Sequence, residues 1–305
     1  VTAAGVYASQ EADLARDVTL TVGGRYDHLR FRALDHLHSN GDDSGERDFD
    51  AVSPSIGLLW RAAGALRVYG SVATAYETPT TTELVNRPTG AGGFNEDLDP
   101  QQALSKEVGA RGMAGDWRYD IAAYSIDVND KLIPFEVASA PGRQFFRNAG
   151  SATHRGVETS IVGLLGRAWR VSATYTYSDF RFDEFRVEDS VYDGNRIPGI
   201  PTQQGYAAAR YTRGLVFASI EANCAGSYFV DDANTVENNA YCIVNLRASA
   251  DLSALGRDIA PFVGITNLAN RLYNGAVRVN AFGGRYFEPA PGRSIYVGLT
   301  VGQGM

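Results

Sequence analysis

The chain has 305 residues, 44% of them hydrophobic and 21% charged, which is enough apolar content for a folded domain and too much for a disordered one. Its formal net charge of −7 and isoelectric point near 5.2 exclude nucleic-acid binding driven by Lys and Arg, because a phosphate backbone would be repelled. No run approaches the roughly 18–20 consecutive apolar residues of a spanning helix, and mean hydropathy is −0.20. Neither fact speaks to a β-barrel, in which lipid-facing and lumen-facing side chains alternate and cancel in any average.

In chain order, Val1-Thr2-Ala3-Ala4-Gly5 is neither a basic n-region nor an apolar h-region, so no signal peptide is visible. Gly5-Val6-Tyr7-Ala8-Ser9 already reads as strand, which leads us to expect that the chain starts mid-protein. Next, Thr19, Thr21 and Arg25 alternate with Val18, Leu20 and Val22. From Ala168 to Tyr177 the polar or small set Ala168, Arg170, Ser172, Thr174 and Thr176 alternates with Trp169, Val171, Ala173, Tyr175 and Tyr177. Asn245, Arg247 and Ser249 stand opposite Cys242, Val244, Leu246, Ala248 and Ala250, and Ser294, Tyr296, Gly298 and Thr300 opposite Ile295, Val297, Leu299 and Val301. A period of two is the mark of a strand with two different faces.

Turn residues and breaks in the alternation predict thirteen strands, near 2–11, 17–32, 49–61, 65–77, 102–113, 116–136, 143–163, 167–182, 198–213, 215–229, 239–252, 259–279 and 284–301. Connections are tight near 12–16, 62–64, 114–115, 164–166, 214 and 253–258, and mostly longer near 33–48, 78–101, 137–142, 183–197, 230–238 and 280–283. One trimmed end and one elaborated end is the asymmetry of outer-membrane barrels. A soluble β-sandwich also alternates, but its strands average about 5–6 residues, whereas these segments cover the roughly 9–11 needed to cross a membrane at a tilt. Trp117, Tyr119, Trp169, Tyr175, Tyr177, Tyr211, Phe217, Tyr228 and Phe229 fall near strand ends, where interfacial aromatic girdles sit. An odd strand count and the strand-like beginning predict further strands upstream. A free edge in lipid would leave backbone groups unpaired, so the segment is not expected to span a membrane alone.

Six stretches, in order, resemble the C-terminal half of TonB-dependent outer-membrane receptors. Tyr7-Ala8-Ser9-Gln10 followed by LTVGGRYD ending at Asp27 is similar to that family's Gly-x-Arg-Tyr-Asp strand pair, and VYGSVATAYETPTTTEL from Val68 to Leu84 resembles its segment into a long external loop. Asn95, Leu98-Asp99-Pro100 and Ser105 to Gly109 follow, then RNAG from Arg147 with HRGVE from His154, then TNLANRLYN from Thr266, and GRYFEPAPGRSIYVGL from Gly284. The resemblance implies an all-β, antiparallel, up-and-down transmembrane barrel of 22 strands, of which residues 1–305 would supply about thirteen from the C-terminal portion. It implies an N-terminal plug domain, which this sequence does not contain. It further implies a bacterial outer-membrane receptor for active, TonB-energised uptake of a scarce nutrient, most often a ferric siderophore. The partners would be outer-membrane lipid and, through the plug, the inner-membrane TonB complex, with no cofactor. The alternative is a passive channel or structural barrel.

No HExxH, GxSxG, Walker, EF-hand or CxxC pattern occurs, so no enzyme is expected. Asp35-His36-x-His38 with Asp42 and Asp43 reads as a solvated loop before it reads as a metal site. Arg143, Phe145, Phe146 and Arg147 combine cations with aromatics, which suits an anionic aromatic chelate; an ordinary strand-to-loop junction is the competing account. Cys224 and Cys242 lie nearly symmetrically about a loop centred near residue 233, both on the outward phase of adjacent predicted strands. They form a cross-strand disulfide in an oxidising compartment or stand as two small apolar side chains.

Overall fold

The computed structural model describes residues 1–302 except 38, 40, 91, 136–142, 144, 149, 188 and 254–257. Its strands are β1 (Thr2–Ala15), β2 (Val18–Ala33), β3 (Gly45–Ala63), β4 (Leu66–Glu77), β5 (Gln101–Ala114), β6 (Trp117–Asn129) and β7 (Leu132–Phe135). Then come β8 (Phe145–Asn148), β9 (Ser151–Leu165), β10 (Trp169–Glu184), β11 (Arg186–Val187), β12 (Ser190–Val191), β13 (Gln203–Arg213) and β14 (Val216–Ala225). The remainder are β15 (Tyr228–Phe229), β16 (Glu237–Asn238), β17 (Tyr241–Ala250), β18 (Ile259–Thr266), β19 (Asn274–Val277), β20 (Phe287–Pro289) and β21 (Ser294–Val301).

Thirteen of these form one antiparallel sheet in the order β1-β2-β3-β4-β5-β6-β9-β10-β13-β14-β17-β18-β21, each beside its neighbour in sequence, which is up-and-down topology. The thirteen expected strands correspond to these thirteen, and the alternation read from Ala168 to Tyr177 is the register by which Trp169 faces Leu165 on one side and Tyr211 on the other. Among the described residues no second large sheet lies over the wall. One face instead exposes Val52, Ile56, Leu58, Trp60, Val108, Ile121, Trp169, Ile220, Val263, Val297 and Leu299. A soluble sandwich buries such residues; a wall turned to hydrocarbon displays them.

Six expected strands run past the wall, for local reasons; the one expected over 198–213 joins it only at Gln203, after Gly199 turns at φ 80°. The segment expected over 116–136 ends at Asn129, because Asp130 takes a left-handed φ of 55°. The one expected over 143–163 is divided by Gly150 at φ 88°. A Cβ there would overlap the Glu184 carbonyl oxygen. The segment expected over 215–229 leaves the wall after Ala225, and Tyr228 and Phe229 form a hairpin with Glu237 and Asn238. That expected over 259–279 stops at Thr266, where Asn267 turns at φ 51° and its side chain bridges the Arg271 backbone, accepting from its N–H at 2.7 Å and donating to its carbonyl at 2.8 Å. The last is interrupted between Pro289 and Ser294. What sequence periodicity joined into long strands are wall strands plus the small hairpins β7/β8, β15/β16 and β19/β20, and β11/β12 adds a fourth. All four lie in the long connections. Tyr228 and Phe229 therefore belong to a loop and not to a girdle, and Phe217 shares the inner face with Arg210, Ser219 and Glu221.

Aromatic side chains are laid over glycines of the next strand: a Cβ on Gly109 would overlap Tyr69, one on Gly156 would overlap Tyr124, and one on Gly264 would overlap Tyr296. Covering a bare strand position with a neighbouring ring restores packing that the glycine lacks.

Cys224 and Cys242 are direct ladder partners on the outward face, with Cα atoms 4.0 Å apart and their sulfurs bonded to each other. Linking positions 18 residues apart restrains the unfolded chain by about 3 kcal/mol. Proteolysis of unreduced protein is expected to yield one linked peptide pair by mass spectrometry; two free thiols would refute the link.

Candidate ligand site in the outer loops

The long connections build the site from the mouth of the wall outward. At Ser53-Pro54-Ser55 the ladder between β3 and β4 ends: Ser55 pairs with Ala73, while β3 continues to Gly45 against β2 alone. Proline has no N–H to give to a ladder. The loop between β4 and β5 closes this gap. Pro79 is fully buried where β4 ends, and Thr80 then starts a short helix, α1 (Thr81–Val85), with a reciprocal capping box to Glu83. That turn drives Leu84 into a cluster with Phe31, Phe49, Phe94 and Leu98. Arg47 ties the loop down by donating to the carbonyls of Glu96 (2.6 Å) and Leu98 (3.1 Å).

Onto this base folds the β7/β8 hairpin, in which Phe145 faces Phe135 and Arg147 faces Ile133. The four residues expected to contact ligand have different fates. Phe145 is 2% exposed and Phe146 packs against the Phe31–Leu98 cluster, so both are structural. Arg147 donates to the Arg186 carbonyl at 2.7 Å, stitching this hairpin to the next loop. Arg143 alone is exposed. Its guanidinium lies 5.2 Å from the Phe145 ring centre and donates twice to the Asn86 side-chain oxygen, at 3.1 and 2.9 Å. Asn148 pins the hairpin's base by accepting from the Asp99 N–H at 2.7 Å and donating to the Asp99 and Asp130 carbonyls.

A cavity of about 520 Å³ opens among four of these loops, lined by Lys131, Ile133, Phe182, Phe185, Tyr192 and Asp232 together with neighbouring residues. Its floor is aromatic and aliphatic: Phe182, Phe185 and Ile133 form one buried cluster, with Val187, Tyr192 and Ile197 against it. Charged groups are held in it. Burial pushes the Lys131 amine below its ordinary pKa and the Asp232 carboxyl above its own, since desolvation penalises each charged form. Asn280 donates to Asp232 at 2.7 Å, whereas Lys131 has no salt bridge among the described residues. The cavity therefore sets one cation, Lys131, beside two carboxylates, Asp231 and Asp232, over an aromatic and aliphatic floor, which suits a ligand held by its apolar frame with a few polar contacts fixing its orientation. Sequence reading missed this cavity because its residues come from four separate connections and share no local pattern. The one available signal is Lys131 itself, a lone cation between an Asn-Asp turn and an apolar Leu-Ile-Pro-Phe run.

Among the described residues no metal centre competes with this site. His38 lies outside the described residues, and the Asp35 carboxylate is occupied by the N–H groups of Leu37 and Asp43. Among the described residues no three His, Cys, Asp or Glu side chains come together.

Residues 1–268 match the family described as "TonB dependent receptor-like, beta-barrel". The chain belongs to the TonB-dependent receptors. It is 26% identical over 262 residues to the ferrioxamine B receptor of Salmonella typhimurium, an alignment covering 83% of this chain and 34% of that one. It is 24% identical over 260 residues to the ferrichrome outer membrane transporter and phage receptor of Escherichia coli, covering 83% and 32%. The ferric yersiniabactin uptake receptor FyuA from Yersinia pestis shares its fold at a TM-score of 0.79 and 19% identity, over 98% of this chain and 45% of that one. This TonB-dependent receptor chain thus spans about a third of the length of the curated relatives it matches. As a member of the family it is a protein of the bacterial outer membrane. The tight connections are therefore the periplasmic turns and the hairpin-bearing ones the extracellular loops.

Proposed function

We propose that these residues form the C-terminal part of the barrel wall, with its extracellular loops, of a receptor for active uptake of a ferric siderophore, energised by the inner-membrane TonB complex. The observation that carries the reading is the loop-built cavity, with Lys131 set in an apolar floor on the outward side of a TonB-dependent receptor wall. The relatives' names, a ferrioxamine B receptor and a ferrichrome transporter, point to the same cargo class. Further strands joining β21 to β1 complete the wall, since each of these edges pairs on one side only and an open edge in lipid leaves backbone groups unsatisfied. The protein's work is binding and gated passage, with no catalytic step.

In this reading the cargo's apolar frame rests on the cavity floor with Lys131 as its one cationic contact there, and Arg143, steadied by Asn86 and Phe145, offers a second cation on the exposed side of the β7/β8 hairpin. The pair Lys131→Met and Arg143→Ala is expected to weaken binding about tenfold, the equivalent of some 1.4 kcal/mol. The assay is uptake of radioactive iron chelates by cells that carry the full-length receptor as their single siderophore route. Uptake should stop when a protonophore removes the energy source. Uptake that persists under the protonophore would make the protein a passive channel and sink the proposal.

A further inference from the structure

Both cysteines of these residues lie on the lipid side of the wall. Cys224 of β14 and Cys242 of β17 are ladder partners with bonded sulfurs, and both are exposed. On the same face lie Ala222 and Val244 and, across Gly205 of β13, Tyr175 of β10. None of these is charged. Asn223 and Ile243 take the opposite phase and face the lumen. Cys224 stands eight residues above Val216, where β14 leaves its tight turn. At about 3.3 Å per residue and a tilt near 40°, that is a rise of roughly 20 Å, inside the outer half of a roughly 25 Å apolar band.

That position closes the sulfurs to the chemistry that joins them. In thiol–disulfide exchange the nucleophile is a thiolate. One cysteine attacks a donor disulfide, a mixed disulfide forms, and the donor's second sulfur leaves as a thiolate. The other cysteine then attacks the mixed bond. The donor departs as a dithiol carrying both electrons, and the two protons lost by the cysteines pass through water to the donor's sulfurs. Each stage holds a sulfur anion, which hydrocarbon disfavours, and each needs a third sulfur close at hand. In the inserted wall, lipid fills the outward side and the strand backbone blocks the lumen side, so a water-borne donor meets neither cysteine.

We propose that Cys224 and Cys242 are joined in the periplasm, before β14 and β17 enter the bilayer, by a protein oxidase that presents a readily reduced disulfide. A protein donor fits a compartment kept oxidising by a protein relay and not by a small-molecule buffer. The two positions are 18 residues apart on one hairpin, so they can meet once β14 and β17 pair, with no other strand of the wall in place. These residues hold no other cysteine to compete. The bond also fixes register. A slip of one residue would turn Ile220 and Leu246 toward the lumen, and the link admits only the pairing in which Cys224 faces Cys242. The hairpin therefore reaches the membrane already aligned.

The test uses the full-length receptor in living cells. Depleting the barrel-insertion machinery stalls the receptor in the periplasm, where it lacks the heat-modifiable mobility of a folded barrel on gels. Free thiols are alkylated at harvest and unreduced peptides are identified by mass spectrometry. The stalled chain is expected to carry the linked Cys224–Cys242 peptide pair. Two alkylated cysteines in the stalled chain, beside a linked pair in the inserted one, would overturn the proposal. In a host without its periplasmic thiol oxidase the linked fraction should fall about tenfold; an undiminished fraction would point to a small-molecule oxidant and overturn the protein donor. Cystine added to that host during synthesis should restore the bond, whereas cystine added after insertion should leave both thiols free. Oxidation of the inserted receptor would overturn the proposal as well. Should the unlinked chain fail to insert, the stalled-chain measurement decides alone. Iron uptake enters none of these readouts, so the cargo assignment stands or falls independently.

Discussion

Phe145→Ala is expected to detach the β7/β8 hairpin from the mouth of the barrel while leaving the wall intact. The ring is 2% exposed, and deleting a buried phenylalanine costs about 3–5 kcal/mol, more than a hairpin of four-residue strands can lose and stay docked. The damage extends to Arg143, whose guanidinium loses the ring beneath it, and to the stitch between Arg147 and the Arg186 carbonyl. In measurable terms, limited proteolysis should cut between residues 132 and 150 in the variant and spare the wild type. Cargo affinity should fall further than in the Lys131 and Arg143 double variant. The wall carries none of this load, so its heat-modifiable mobility should stay as in the wild type. Undiminished protease resistance would show that Phe145 is not what holds the hairpin.

The second large effect tests the membrane face itself. Ile121 lies four residues above Trp117 on the outward side of β6 and is 46% exposed, which places it about 10 Å beyond the periplasmic girdle and close to the midplane of a roughly 25 Å apolar band. Ile121→Arg should therefore destabilise the folded barrel by about 2–4 kcal/mol, read as a lower urea midpoint in lipid vesicles. Its neighbour is the control. Ala122 points inward, opposite Glu158 and beside the Glu107 strand, so Ala122→Arg meets water and carboxylates and should be nearly neutral. A shift of one residue reverses the face, and equal effects from the two substitutions would refute the assignment of faces.

The wall was legible in the sequence because its periodicity is enforced at every residue. Hydrocarbon outside and water inside leave Val171, Ala173 and Tyr175 no alternative to one face, nor Ser172, Thr174 and Thr176 to the other. The pairing of Cys224 with Cys242 could be read by the same logic, since equal distances from one loop define a ladder partner. Strand ends were less legible. Asp130, Gly150 and Asn267 change direction through a single left-handed φ, and the residues beyond them resume a period of two inside loop hairpins, which a periodicity count cannot separate from the wall. The site was least legible. A basic and aromatic stretch from Arg143 to Arg147 was visible, but whether Phe146 faces a ligand or a core depends on Leu84 and Phe94, which lie more than 50 residues away. Lys131, Phe182 and Asp232 share a cavity only because wall order places their loops side by side.

The four loop hairpins carry one further consequence, which concerns heat. Because β7/β8, β11/β12, β15/β16 and β19/β20 hold their own backbone bonds, these hairpins have little chain disorder left to lose when a guest arrives. Binding to such a surface retains the entropy that a floppy loop would forfeit. In a calorimeter it should show a heat-capacity change set by the apolar area of the cavity alone, without the larger negative value that accompanies folding on contact.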